Sequence, residues 1–394
     1  MKILFFSTWF PYPADNGSKL RVYQLLRSLA QTHQVTLASF SFGEAAPDPK
    51  HLVDTCCERV EIVHRNPFER ARAARASRFA SLTPVVNQPV PEMAALTTQL
   101  AQETRFDRVI ASTTGTAAYA LMVQQTPRVL EEHNSPGRWA HERCLQPARP
   151  TTRIRRWLSW QKTRRYEATL YRQFALCTMV SEADRAATLS VLKDAATRVE
   201  TVPNGVDCTY NRPGIAPVTP GSLVFNGSLT YDANYDAMQV FLSSVWPQLR
   251  QEIPSISLTI TGSVADVDLT GLALDSGVSL SGFVEDVRPL VAGAAVCVAP
   301  IRQGGGTRLK ILEAMALGTP VVATSKAAEG LNVNAGEHLL IGDTAMEFAS
   351  CVLRLLRDDE LRARLARNAR QLVEETYEWS QIGAQFAGLI DGST

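Results

Sequence analysis

The sequence predicts an α/β protein built of two doubly wound, parallel-sheet domains in tandem. Short apolar runs rich in β-branched residues alternate with helical patterns along most of the 394 residues. The alternation restarts after a Pro- and Gly-rich stretch, Pro213–Pro220. Ala299–Thr324 reads strand, glycine loop, helix, tight turn, strand, the repeating unit of a parallel sheet.

In the first half the strand-like runs are Lys2–Ser7, Gln34–Phe40, Arg59–Val63, Asp107–Ser112, Arg128–Glu131 and Leu176–Ser181. Helical patterns lie between several of them, among them Ser18–Ala30, Pro91–Thr104 and Glu182–Leu192. In the second half the runs are Leu223–Asn226, Ser257–Thr261, Val278–Ser281, Val296–Pro300, Val321–Thr324 and Leu339–Ile341. Sheets of this kind bind ligands at the carboxyl ends of their strands, so a cleft between the two domains is the expected site.

Composition is that of an ordinary soluble globular chain, 45% hydrophobic and 20% charged. The start, MKILFFSTWFPYP, contains Ser7 and Thr8 and stops at Pro11, so it reads as a buried first strand rather than a leader. No run approaches 18 uninterrupted apolar residues. The seven cysteines are scattered and form no CxxC, which points to a reduced cytoplasmic chain without cysteine-bound metal. Residues 1–212 carry 28 Lys/Arg against 19 Asp/Glu and the rest 12 against 20, placing any basic surface in the first half.

The glycine loop carries the most chemistry. Arg302-Gln-Gly304-Gly305-Gly306 lets backbone approach a ligand closely, and Thr307 is placed to cap a helix beginning at Arg308. Gly318 suits the position just past its end, with Pro320 beyond. Arg308 and Lys310 fall in the first helical turn, where the macrodipole disfavours cations by about 0.3–1 kcal/mol each. A docked phosphate or diphosphate makes sense of that charge, with Arg302 as a third cation. A solvated loop whose arginines meet acids elsewhere is the plainer alternative.

The run GGTRLKILEAMALGTPVVAT resembles the donor-site signature of retaining, family 4 (group 1) glycosyltransferases of the GT-B fold. The resemblance implies two Rossmann-like domains facing a central cleft. Residues 1–212 would bind the acceptor, 213–376 the nucleotide-sugar donor, and 377–394 would form a helix crossing back to the first domain. It implies that Gly304, Gly305, Gly306, Thr307 and Leu309 line the diphosphate, that Glu313 bonds the ribose, and that Phe283 and Val284 sit at the nucleobase. Many members carry a second glutamate eight positions before Glu313, where this chain has Gly305. Gly227 and Ser228, after the first strand of the second half, are further donor-loop residues. Relatives carry an arginine and a lysine just after that glycine, but Leu229–Tyr235 has neither. Arg302, Arg308 and Lys310 are then the groups left to neutralise the leaving diphosphate.

In the first half, Gly17 follows strand one in Asp15-Asn-Gly-Ser18, either as a ligand loop or as a plain turn with Ser18 as helix cap. His133, in the polar Glu131-Glu-His-Asn134 strand end, can bond a sugar, orient an acceptor or exchange protons, or serve a structural cluster. The resemblance favours a donor-sugar contact; Glu132 and Asn134 are weaker candidates. Pro203-Asn-Gly-Val-Asp207 also matches the family, near its hinge.

Two basic stretches, 64–78 and 149–172, carry five and eight bases; the second interleaves Trp157, Trp160 and Tyr166. Together they suit an anionic membrane surface, on the inner face of the membrane, or else a solvated helix with its tryptophans inward. No nucleic-acid module is recognisable. Asp266-Val-Asp268 is a three-residue DxD match of little weight, and no metal or cofactor is expected. The expected reaction moves a sugar from a UDP- or GDP-linked donor to a glycan or lipid-linked acceptor. A nucleotide-sugar epimerase and a degenerate nucleotide-binding protein are the alternatives.

Overall fold

Seven strands, all parallel, make the first sheet: β1 (Lys2–Ser7), β2 (Gln34–Ser41), β3 (Arg59–His64), β4 (Arg108–Ser112), β5 (Arg128–Glu131), β6 (Leu176–Met179) and β7 (Arg198–Thr201). Their order is β3-β2-β1-β4-β5-β6-β7, so the winding reverses between β1 and β4. The computed structural model describes residues 1–43, 47–69, 88–193, 196–304 and 308–392. Strands β1 and β4 are buried almost throughout because helices cover both faces, and Leu4, Phe6, Val109 and Ala111 join one core with Tyr119 and Tyr171.

The second sheet repeats the plan with six parallel strands, β8 (Thr219–Asn226), β9 (Ser257–Thr261), β10 (Val278–Gly282), β11 (Ala294–Ala299), β12 (Val321–Ala323) and β13 (Leu340–Ile341). Its order is β10-β9-β8-β11-β12-β13, with the reversal between β8 and β11. A larger core runs from Val224 and Phe225 through Val296 and Val298 to the helix Leu309–Ala316.

The chain divides into two compact units. Met1–Pro203 with Ser380–Thr394 form unit 1, and Asn204–Trp379 form unit 2. The helix Trp379–Asp391 therefore packs on unit 1: Ile382, Phe386 and Ile390 are buried, and Arg108 Nε donates to the Ile390 carbonyl at 3.3 Å. Residues 204–212, ahead of the Pro213–Pro220 stretch expected to link the domains, are tied into unit 2. Arg370 reaches the carbonyls of Asn211 and Cys208, and the Arg288 guanidinium lies 3.5 Å from the Tyr210 ring centroid.

Three local expectations are corrected. Strand β7 has no counterpart in the sequence reading, because it is an edge strand whose only buried residue is Val199. The first helix, Gly17–Leu29, is capped by Asn16, whose Oδ1 accepts from the amides of Ser18 and Lys19 at 3.1 Å, and not by Ser18. The glycine-loop helix begins at Leu309, with Arg308 at the cap in a non-helical conformation. At its other end Gly318, at φ +75°, lets its own amide reach Met315 O and that of Thr319 reach Ala314 O, the Schellman closure.

Candidate active site

Each unit gathers polar side chains at the carboxyl ends of its strands, beside its own switch point. In unit 2, β8 ends in Asn226-Gly227-Ser228 and β11 leads into Ile301–Gly304. Lys310, two residues into the helix Leu309–Ala316, reaches back across the β8 loop. Its Nζ donates to Asn234 Oδ1 at 2.8 Å and stands 4.1 Å from the Phe225 ring centroid. Asn234 Nδ2 in turn donates to the Ser228 carbonyl at 2.7 Å. Gly227 makes room for this: a Cβ there would lie 2.5 Å from Lys310 Nζ and 2.8 Å from Asn234 Nδ2. The place after Gly227 that lacks a cation in sequence thus receives one from a helix 83 positions further on.

Burial pushes the Lys310 amine down to about 7; Cys297 and Glu313 oppose that, and Arg308 adds to it. Such a lysine gains most from an anion that restores its charge. Arg308 curls over the loop, its Nη2 donating to the carbonyls of Gly304 at 2.6 Å and Gln303 at 3.1 Å. Arg302 points to Asp236, with Nη2 to Oδ1 at 2.7 Å, and is half exposed. So the structure brings Lys310 and Arg308 to the loop and gives Arg302 an acid partner. Gly305, Gly306 and Thr307, including the expected Thr307 cap, lie outside the described residues.

Glu313 is held by Asn226, whose Nδ2 donates to Oε2 at 2.9 Å; burial raises its carboxyl, against Lys310 and Asn226. Ser228 Oγ donates to the Ser263 carbonyl at 2.8 Å. Phe283 follows β10 and is 78% exposed, an open aromatic face beside the partly buried Val284. Leu309 packs on the unit 2 core. Asp268 caps a short turn through Thr270, and among the described residues no cluster of three metal-ligating side chains occurs.

In unit 1 the polar cluster is organised around a buried ion pair that no sequence motif announced. Arg21 is 1% exposed and Glu131 fully buried, with Arg21 Nε donating to Glu131 Oε1 at 2.5 Å. Arg21 also donates to the carbonyls of Val202 and Pro203 at 3.0 and 2.9 Å. The other carboxylate oxygen, Oε2, accepts from Ser112 Oγ at 2.8 Å and lies 3.1 Å from His133 Nε2. Burial alone would push Glu131 up, but Arg21 and then His133 outweigh it and hold it well below the usual carboxylate range. His133 stacks beside Trp9, ring centroids 6.3 Å apart, and its buried Nδ1 has no hydrogen-bond partner. Gly17 is exposed at the start of the first helix.

Behind His133, Glu132 and Glu167 are both buried and share the Tyr171 hydroxyl, at 3.3 Å to an Oε1 of each. Glu167 Oε1 also accepts the Gly137 amide at 2.7 Å, and burial raises this carboxyl to about 7. A signal for the missed pair existed: Arg21 sits in the apolar stripe of Val22, Leu25, Leu26 and Leu29, where a lone cation needs a buried acid.

The basic helix Pro150–Leu170 and its neighbour Pro136–Leu145 expose Trp139, Leu145, Ile154, Trp157 and Leu158 among arginines. Trp160 lies tilted against His141, ring centroids 4.4 Å apart, and Tyr166 packs on the core. Of the 64–78 stretch, Arg65 pairs with Glu92 at 3.1 Å, and residues 70–78 lie outside the described residues. No described helix is long and apolar enough to cross a membrane.

Residues 16–210 match the family model for glycosyltransferase family 4, and residues 220–358 that for glycosyl transferases group 1. The chain belongs to the group 1, family 4 glycosyltransferases. Within that family it is 31% identical over 196 residues to a phosphatidyl-myo-inositol mannosyltransferase of Mycolicibacterium smegmatis, covering 47% of this chain and 49% of that one. It is 25% identical over 169 residues to an uncharacterized 44.6 kDa protein in the cps region of Klebsiella pneumoniae, 41% of this chain and 44% of that. The chain spans about half the length of the curated relatives it matches. Among solved structures, sucrose-phosphate synthase from Thermosynechococcus elongatus superposes with TM-score 0.76 at 17% identity, over 99% of this chain and 98% of that one. HepE from Anabaena, solved with UDP and glucose, gives 0.70 at 18% identity over 99% of both. These likenesses establish the GT-B fold type.

Proposed function

We propose that the chain is a retaining glycosyltransferase that moves a sugar from a UDP- or GDP-linked donor to a hydroxyl of a glycan or lipid-linked glycan, in the synthesis of a cell-surface polysaccharide. The observation that carries this reading is the cation cradle of unit 2, where Gly227, Asn234 and Phe225 hold Lys310 beside the Arg308-clasped glycine loop. When the sugar bond breaks, negative charge develops on the leaving diphosphate. Fixed cations already aimed at that charge lower the barrier without reorganising, which is the largest single contribution available to such a site. Glu313 takes the ribose hydroxyls and Phe283 the base. In unit 1, His133 takes a sugar hydroxyl.

Charge neutralisation is assigned to Lys310 and Arg308 and not to a divalent ion, so a chelator should leave turnover unchanged. The exposed tryptophans and arginines of the helices Pro136–Leu145 and Pro150–Leu170 suit peripheral attachment to an anionic bilayer from the cytoplasmic side. The mannosyltransferase relatives, named for phosphatidyl-myo-inositol, support a lipid-linked acceptor.

Thermal denaturation against UDP, GDP, ADP, CMP and their common sugar conjugates tests the reading. A ligand at 100 times its Kd stabilises by about 2.7 kcal/mol. One winning base identifies the donor; a flat panel overturns the proposal. Conversion of the donor sugar without any acceptor would replace transfer by epimerisation.

A further inference from the structure

The hydrogen bonds around Glu131 determine which nitrogen of His133 carries its proton. Arg21 is always charged and is paired to Glu131 in full burial, so Glu131 is a carboxylate and only accepts. Ser112 and Glu131 are register partners at the ends of β4 and β5, and the single hydroxyl proton of Ser112 goes to Glu131 Oε2 at 2.8 Å. Ser112 Oγ then meets His133 Nε2, 3.0 Å away, only as an acceptor, and Glu131 Oε2, 3.1 Å from the same nitrogen, is an acceptor too. Both contacts require a proton on Nε2. In the neutral ring the lone pair therefore sits on Nδ1, the buried atom without a hydrogen-bond partner.

We propose that Arg21 and Glu131 are positioning residues that lock His133 in its Nε2–H form, with Ser112 as an auxiliary acceptor, and dedicate Nδ1 to accepting a hydrogen bond from a ligand hydroxyl. The ligand class is a neutral polyol, a sugar ring. A carboxylate or phosphate oxygen would meet a lone pair instead of a donor. Arg21 extends the device to the backbone at Val202 and Pro203, fixing the far side of the carboxylate. That the hydroxyl belongs to the donor or acceptor sugar rests on the transferase reading; the tautomer does not.

The test is a long-range proton–nitrogen correlation spectrum of the full chain labelled with [15N]histidine, recorded from about pH 7 to 9 so that the neutral ring is sampled, with His133 assigned by its loss in His133→Gln. The expected pattern is a pyridine-like Nδ1 and a pyrrole-like Nε2. The reverse pattern, or two pyrrole-like nitrogens, overturns the proposal. Ser112→Ala should keep the pattern, since Glu131 still accepts directly. Glu131→Gln should lose it, because an amide can donate to Nε2. Because that variant strands the Arg21 charge, the double variant Arg21→Met/Glu131→Gln is measured beside it; the wild-type pattern persisting there refutes the positioning role. Adding the nucleotide sugar, but not its nucleoside diphosphate, should move the Nδ1 resonance. An unmoved Nδ1 in a protein that the sugar nucleotide stabilises overturns the hydroxyl assignment, whereas a flat thermal panel overturns the transferase reading instead.

Discussion

Substituting Gly227 by alanine should separate nucleotide binding from folding. The backbone there does not need glycine, since its φ is not in the left-handed region. The added methyl would meet only the ends of two side chains, Lys310 Nζ at 2.5 Å and Asn234 Nδ2 at 2.8 Å. Both can swing away, at the loss of the Lys310–Asn234 and Asn234–Ser228 bonds, roughly 2 kcal/mol, partly offset by about 0.4–1 kcal/mol from stiffening the unfolded chain. The melting temperature should fall by only about 2–6 °C. Binding loses more. A lysine displaced from a diphosphate forfeits a charge-assisted contact of about 1.5–3 kcal/mol, or roughly ten- to 150-fold in Kd. Calorimetric titration with UDP and GDP measures it, beside Lys310→Met and the double variant. The two single effects should not add, because both remove the same contact. A Gly227→Ala protein that binds within twofold of wild type would show that Lys310 does not touch the anion, and the cradle argument would fail.

Three further outcomes follow from the same geometry. Lys310 is held near 7 while an unfolded lysine titrates near 10.5, so between those values the unfolded chain binds more protons; its contribution to stability rises with pH across that window while nucleotide affinity falls. Lys310→Met should abolish both slopes, as read by denaturant titration and calorimetry over pH 6–9. Glu167 is shifted the other way, up to about 7, so its neutral form is favoured and stability is lost as pH rises from about 4.5 through 7. Glu167→Gln keeps an acceptor for Gly137 N and Tyr171, and should match wild type at pH 5 but exceed it by about 1–3 kcal/mol at pH 8 in urea unfolding. Vesicles of anionic lipid should sediment the protein at low salt and release it at high salt, and Trp157→Ala with Trp139→Ala should weaken this at least several-fold; no sedimentation at low salt refutes the membrane surface.

Elements with strong local periodicity were legible in the sequence. β1 and β5 appear with the predicted bounds, and Gly318 closes its helix because a positive φ there is a local requirement. The misses share a cause, which is that a partner lies far along the chain. Nothing near Lys310 announces Asn234, and nothing near Glu131 announces Arg21, 110 residues earlier. Caps failed for a subtler reason: Asn16 and Ser18 are both good caps, and only the backbone angle, extended at Asn16, selects one. Arg308 reads as a helical residue by spacing, yet its bonds to the carbonyls of Gln303 and Gly304 draw it out of the first turn.

The helix Trp379–Asp391 also dictates an order of assembly. On the ribosome all of unit 2 emerges before the residues that cover unit 1, so for that interval nascent unit 1 shows water the apolar surface that Ile382, Phe386 and Ile390 later bury. Unit 2, whose entry and exit are joined by the bridge between Val206 and Glu378, is already whole at that moment. The unit that is made first is thus the unit finished last, and a truncation within the helix Trp379–Asp391 harms a unit whose other residues almost all precede Asn204.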